Sequence, residues 1–255
     1  MKEDVKRPSL FWLLTEAGRA FTELGASIPY RKFMTNNRHG DGHPVWVLPG
    51  FLASDTSTNQ LRAFIKCLGY TPLAWELGRN FAQEDYIHQL IERLEEIHEE
   101  YQEPITIIGW SLGGIYARQV AKAQPSMVRQ VITLGSPFRG VGEPNNVAWL
   151  YNLITGGQRV ADVNPTLLED IPLPAPVPTT AIYSKQDGVV PWQLCMEEEE
   201  DDWHQNIEVR GSHLGLGVNA SVLRIIENRL LFEKSNWVPF KPNNFVEDLL
   251  FYPSI

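Results

Sequence analysis

From residue 45 onward, short apolar runs alternate with stretches of helical periodicity. Val45 to Leu48 is an apolar run closed by Pro49-Gly50, and runs of strand length recur at Thr71 to Trp75, Ile105 to Ile108, Val128 to Leu134, Thr179 to Tyr183 and Ile207 to Val209. Between them, Thr58 to Leu68, Leu112 to Lys122 and Val218 to Leu231 read as helices. Another helix carries Ile87, Leu90, Ile91, Leu94, Ile97 and Tyr101 on one side and acidic residues, left to solvent, on the other. A near-continuous apolar strand such as Ile105 to Ile108 belongs in a sheet covered on both faces. Repeated βα units therefore predict an α/β domain with a mostly parallel central sheet and helices on both sides.

Three segments fall outside that alternation. In residues 1–40, an N-terminal helical segment, Leu10, Leu13, Leu14, Ala17, Phe21 and Leu24 recur at helical spacing, which predicts a helix packed on the domain through that face. Phe11 and Trp12 would widen the same face into a flap or a membrane-touching element. Residues 140–178 carry no strand pattern, only a possible helix near Trp149 to Leu153 and a Pro-rich stretch from Pro172 to Pro178. They read as a short lid insertion over the carboxyl edge of the sheet, with Trp149, Leu150, Leu153 and Ile154 facing substrate. Residues 233–255 form a C-terminal tail, and the whole of 1–255 reads as a single domain.

Composition narrows the partners. With 255 residues and 43% hydrophobic content the chain can bury one substantial core, and a formal charge of −9 disfavours attraction to nucleic acid or to an anionic membrane. Soluble small-molecule substrates fit better, and stable membrane insertion is not expected. Cys67 and Cys195 lie in no CxxC pattern and read as free, at least partly buried thiols. The charged run Lys2 to Arg7 and the brief apolar stretch Leu10 to Leu14 do not make a signal peptide, so the expected location is cytoplasmic. The acidic run Glu197 to Asp202 lacks the spacers and turn-forming Gly of a calcium loop and reads as a solvated loop, so neither metal nor cofactor is expected.

The chemistry gathers at Gly109-Trp110-Ser111-Leu112-Gly113-Gly114, between the strand ending at Ile108 and a helix. A serine at a sharp strand-to-helix turn sits in strained backbone, and glycine two residues to either side removes the collisions such a turn creates. The turn aims the serine at the helix N-terminus, where the Leu112 N–H can hold a developing oxyanion. A second donor is expected in the Phe51 N–H, since Gly50 lets that loop approach closely. A hydroxyl nucleophile needs a base and the base an orienting acid, in the chain order Ser, acid, His. Asp187, just after the run Thr179 to Tyr183, and His213, just after Ile207 to Val209, share an edge with Ser111. His39 and His43 precede the first strand, His88 and His98 lie on an acidic helix, and His204 sits at the wrong end of the last strand. Asp187, between Ser184 and Pro191, has a second reading as a plain turn cap.

Together, Pro49-Gly50-Phe51-Leu52, Gly-Trp-Ser-Leu-Gly-Gly, Leu134-Gly135-Ser136-Pro137-Phe138, Asp187-Gly188-Val189-Val190 and Gly211-Ser212-His213 resemble bacterial α/β-hydrolases of the lipase and esterase type over roughly residues 41–232. The resemblance implies serine-dependent hydrolysis of a small-molecule carboxylic ester or lipid with Ser111, Asp187 and His213 as the triad; Trp110, beside Ser111, is a further candidate for contact with substrate. Pro49-Gly50 stands where many lipases have His-Gly. A thioesterase or acyltransferase using the same triad is the nearest alternative, and a silent ligand-binding protein the remote one.

Overall fold

The structure, a computed structural model, describes residues 5–34, 40–83, 85–139, 165–242 and 251–253. Six strands, β1 (Pro44–Leu48), β2 (Thr71–Leu73), β3 (Ile105–Trp110), β4 (Val128–Leu134), β5 (Thr179–Tyr183) and β6 (His204–Glu208), form one sheet in the order β2-β1-β3-β4-β5-β6. Every pairing is parallel. Because β2 lies on one side of β1 and β3 on the other, the crossovers diverge between β1 and β3. At such a switch point the carboxyl ends of two neighbouring strands open a crevice. Leu48 pairs with Gly109 there, so the loop after β1 and the turn after β3 face each other.

The two-residue period of the strands sorts their side chains into two cores. Trp46, Leu48, Ile107 and Val131 pack on one face with α3 (Tyr86–Tyr101) and α4 (Leu112–Ala123). Val45, Val47, Ile108 and Ile132 pack on the other with α2 (Asp55–Leu68) and the helix Ala220–Leu230. β6 starts three residues before its apolar pattern, and the reason is side-chain pairing with nearby main chain. Gln205 donates to the carbonyl of Phe240 at 2.9 Å and accepts from its N–H at 2.6 Å, and Asn206 does the same with Glu197 at 3.1 and 2.7 Å.

The flanking segments depart from expectation. α1 (Leu10–Met34) is inverted: Leu14 is 83% and Phe21 78% exposed, with Leu10, Phe11 and Leu13 also outward, whereas Glu16 and Ser27 are buried. The apolar periodicity correctly marks a helix, but its polar side meets the domain, because the loops beneath present main-chain N–H groups that need acceptors. Among the described residues no helix is long and apolar enough to cross a membrane. Of the expected lid, residues 140–164 lie outside the described residues. The remainder comprises a short helix, α5 (Pro165–Asp170), and a stretch whose Ile171, Ala175 and Val177 are buried in the first core, leading to the amino end of β5. That stretch closes the core opposite the carboxyl edge. The helix α6 (Ala220–Leu230) is covered by the tail, whose Phe240 and Tyr252 are buried against each other in the second core.

The acidic run is not all solvated. Glu197 is buried and forms an ion pair with the fully buried Arg118 of α4, whose guanidinium lies 3.8 Å from the centre of the Phe138 ring and also donates to the Leu173 carbonyl at 2.8 Å. Glu198, by contrast, is exposed. Cys67 and Cys195 are free thiols, the second fully enclosed. Removing one partner of a buried pair strands the other's charge. Arg118→Met should therefore cost about 3–5 kcal/mol in urea unfolding, and adding Glu197→Leu should recover much of it.

Candidate active site

Ser111 follows β3 directly and caps α4, at φ 53° and ψ −120°, a conformation that costs a non-glycine residue about 1–3 kcal/mol. Its hydroxyl makes no capping hydrogen bond to the helix it starts, and Ser111 is nearly enclosed. The surrounding backbone over-determines the turn. A Cβ on Gly109 would lie 2.3 Å from the Gly114 Cα, and one on Gly113 would lie 2.3 Å from the carbonyl oxygen of Leu48. No side chain fits at either position, so strand, helix and the end of β1 touch main chain to main chain.

The loop after β1 sits against this turn, and a Cβ on Gly50 would come within 3.2 Å of the Ser111 Cβ. The loop's own hydrogen bonds run to Asn80, which sequence patterns did not single out. Asn80 is fully buried, its amide donates to the Pro49 carbonyl at 3.0 Å, its carbonyl accepts from Leu52 N–H at 2.7 Å and its N–H donates to Ala53 at 2.8 Å. Leu52 adopts a positive φ of 58°. Among the described residues the Phe51 N–H has no acceptor in this network. The Leu112 N–H, first in α4, has no intrahelical acceptor.

Asp187 and His213 come together with Asp187 Oδ2 2.6 Å from His213 Nδ1. Asp187 also caps a turn, its two oxygens dividing the work. Oδ1 accepts the N–H groups of Val189 at 2.8 Å and Val190 at 2.7 Å. Behind the pair, Gly135 at φ 54° leaves the needed space, since a Cβ there would lie 3.1 Å from His213 Nδ1 and 3.3 Å from Asp187 Oδ2. Burial pushes the imidazole of His213 down. The charge of Asp187 and its hydrogen bond, with the nearby charge of Glu16, outweigh that effect and hold it above the ordinary 6.5.

The His213 loop is tied to the Ser111 turn by Trp110. Its indole N–H donates to the carbonyl of His213 at 3.1 Å, and a Cβ on Gly217 would lie 2.8 Å from its ring. Trp110, expected to contact substrate, is thus held in the second core as a brace, because a half-buried indole N–H takes the acceptor within reach. Trp149, Leu150, Leu153 and Ile154 lie outside the described residues. His204, the first residue of β6, bonds to Asp201 and to the Ala175 carbonyl, away from the cluster. Among the described residues, no three His, Cys, Asp or Glu side chains converge as a metal site would require.

Comparison with known proteins agrees with this architecture. The PGAP1-like alpha/beta domain family matches residues 73–154, from β2 through the Ser111 turn and beyond β4. No curated protein sequence matches the chain. Among solved structures it is similar to Aspergillus fumigatus lipase B, with a TM-score of 0.59, 16% identity and 82% of this chain covered; the chain spans 56% of that protein's length. It is also similar to the Paleococcus ferrophilus monoacylglycerol lipase, with a TM-score of 0.54, 15% identity and coverage of 74% of this chain and 93% of that one. A thioesterase domain from the curacin biosynthetic pathway superposes with a TM-score of 0.51 at 12% identity, over 76% of this chain and 93% of that one. The fold is that of the α/β-hydrolases, as the sequence motifs implied.

The division of labour in Asp187 makes a sharp prediction. In Asp187→Asn the N–H groups of Val189 and Val190 hold the amide oxygen, which forces the NH2 toward His213 and removes its acceptor. Covalent labelling of Ser111 by a fluorophosphonate should slow by about 10²-fold or more, following the known effect of this exchange in serine proteases, with the melting temperature nearly unchanged. In the wild-type protein the labelling rate should rise with pH through a midpoint above 6.5, because only the neutral imidazole of His213 can accept a proton. Rates independent of pH between 5 and 9 would count against His213.

Proposed function

We propose that the chain is a serine carboxylic-ester hydrolase, an esterase or lipase working through an acyl-enzyme on Ser111. The observation that carries this is an uncapped serine hydroxyl on a strained turn at the switch point, with a bonded Asp–His pair braced against that turn by Trp110. Since Nδ1 of His213 is bound to Asp187, Nε2 is the nitrogen left to take the serine proton. As that proton moves, Oγ bonds to the ester carbonyl carbon and the oxygen takes negative charge, met by the N–H groups of Phe51 and Leu112. Collapse breaks the bond to the leaving alcohol, which receives the proton from His213. Water, deprotonated by the same imidazole, then releases the acid and restores Ser111. No step requires a metal or a cofactor.

The same acyl-enzyme can begin from a thioester, and a thioesterase domain is among the similar folds. Turnover should therefore be measured on p-nitrophenyl esters from acetate to palmitate beside acyl-CoA. Faster hydrolysis of ester than of thioester supports the proposal, and the reverse order identifies a thioesterase. Ser111→Ala should lower kcat by about 10⁶-fold, the scale seen when a triad serine is lost, while the fold persists. Wild-type turnover by this variant would overturn the assignment.

A further inference from the structure

The inverted helix α1 ends its polar side in a contact that the hydrolytic reading does not use. Glu16 is 3% exposed, and both its oxygens are occupied. Oε1 accepts the N–H of Gly188 at 2.8 Å and of His213 at 3.1 Å, and Oε2 accepts the N–H of Leu214 at 2.9 Å. One carboxylate thus binds main chain in the acid turn and in the base loop, at the residue following Asp187 and at His213 and its successor. Two turns further along the same face, Glu23 accepts from the Ser212 N–H at 2.8 Å and from the Asn219 side chain at 3.0 Å. The fit at the acid turn is close, since a Cβ on Gly188 would lie 2.4 Å from the Trp12 carbonyl carbon.

Resting on the hydrolase reading, we propose that Glu16 is a positioning residue that sets the alignment of Asp187 with His213 and supplies a second negative charge to the base. The two loops are otherwise joined by few bonds, including that of the pair itself and those of Ser184 Oγ with Gly211. A buried carboxylate shared between them fixes their spacing, because each N–H it accepts is directional and the bonds from Gly188 and His213 are buried away from solvent. The charged groups facing His213 are Asp187 from its own turn and Glu16 from α1. Arg19 offsets Glu16 in part through a 2.9 Å ion pair, and Glu23 stands beside the preceding residue. Removing the Glu16 charge should therefore lower the pKa of His213.

Two variants separate charge from reach. Glu16→Gln keeps the length and one accepting oxygen but loses the charge, whereas Glu16→Asp keeps the charge and cannot span both loops. Misplacing a reacting group by about 1 Å costs on the order of 10²-fold, so each variant should lose about tenfold or more in kcat with little change in KM. The His213 titration midpoint, read by NMR of its ring nitrogens without substrate, should fall in Glu16→Gln and stay near wild type in Glu16→Asp. Arg31→Ala is the control: it removes the bonds of the far end of α1 to Gln60, at 2.8 and 2.9 Å, and should leave kcat and the midpoint unchanged. Wild-type kcat and midpoint in folded Glu16→Gln would overturn the inference, as would a loss that follows melting temperature alone and is matched by Arg31→Ala. A wild-type protein that neither labels at Ser111 nor hydrolyses esters would sink the hydrolase reading instead, while the NMR midpoint would still report on Glu16.

Discussion

The approach of three stretches of main chain at the switch point governs the rest of this molecule. β3, α4 and the end of β1 meet with no side chain between them at Gly109 and Gly113, and that contact holds Ser111 at positive φ. A lone residue would relax out of such a conformation. Here relaxation would drive backbone into backbone, so the strain is sustained by a core packed on both faces of the sheet. The loop after β1, the Asp187 turn and the His213 loop are all referenced to this fixed point. Asn80 ties down the first, Trp110 reaches the last, and Gly135 leaves room for the Asp187–His213 pair.

The parts legible in the sequence are those whose causes are local. Val128–Leu134 and Thr179–Tyr183 can be read to the residue because apolar runs buried on both faces announce themselves, and the Ser111 turn is legible because its steric demands fall on adjacent glycines. Asp187 and His213 follow from strand order, and the structure brings them together. The illegible parts depend on partners far apart in sequence. Nothing local distinguishes Glu197, buried against Arg118 seventy-nine positions earlier, from exposed Glu198 beside it. Asn80 lies in an unpatterned loop, and its value comes from four main-chain groups around Pro49, Leu52, Ala53 and Ala82.

α1 shows how a correct periodicity can mislead about orientation. Its apolar positions form a stripe, and burial of a stripe is the usual reason for one. The surface beneath Glu16 and Glu23, however, presents the main-chain N–H groups of Gly188, Ser212, His213 and Leu214. For such a surface a carboxylate is the better complement, since a buried N–H without an acceptor is more costly than a leucine left in water. A hydrophobicity scale has no entry for that preference.

A carboxylate that grips peptide N–H groups is blind to the side chains those peptides carry. Leu214 contributes its amide to Glu16 and leaves its side chain half exposed, so almost any residue there would satisfy the helix equally well. Inserting a single residue into either loop is another matter, because it leaves the spelling nearly intact while shifting the phase of the main chain against the helix. At Leu214, loop length should therefore matter more to this contact than side-chain identity, whereas Gly188 is held to glycine by the Trp12 backbone.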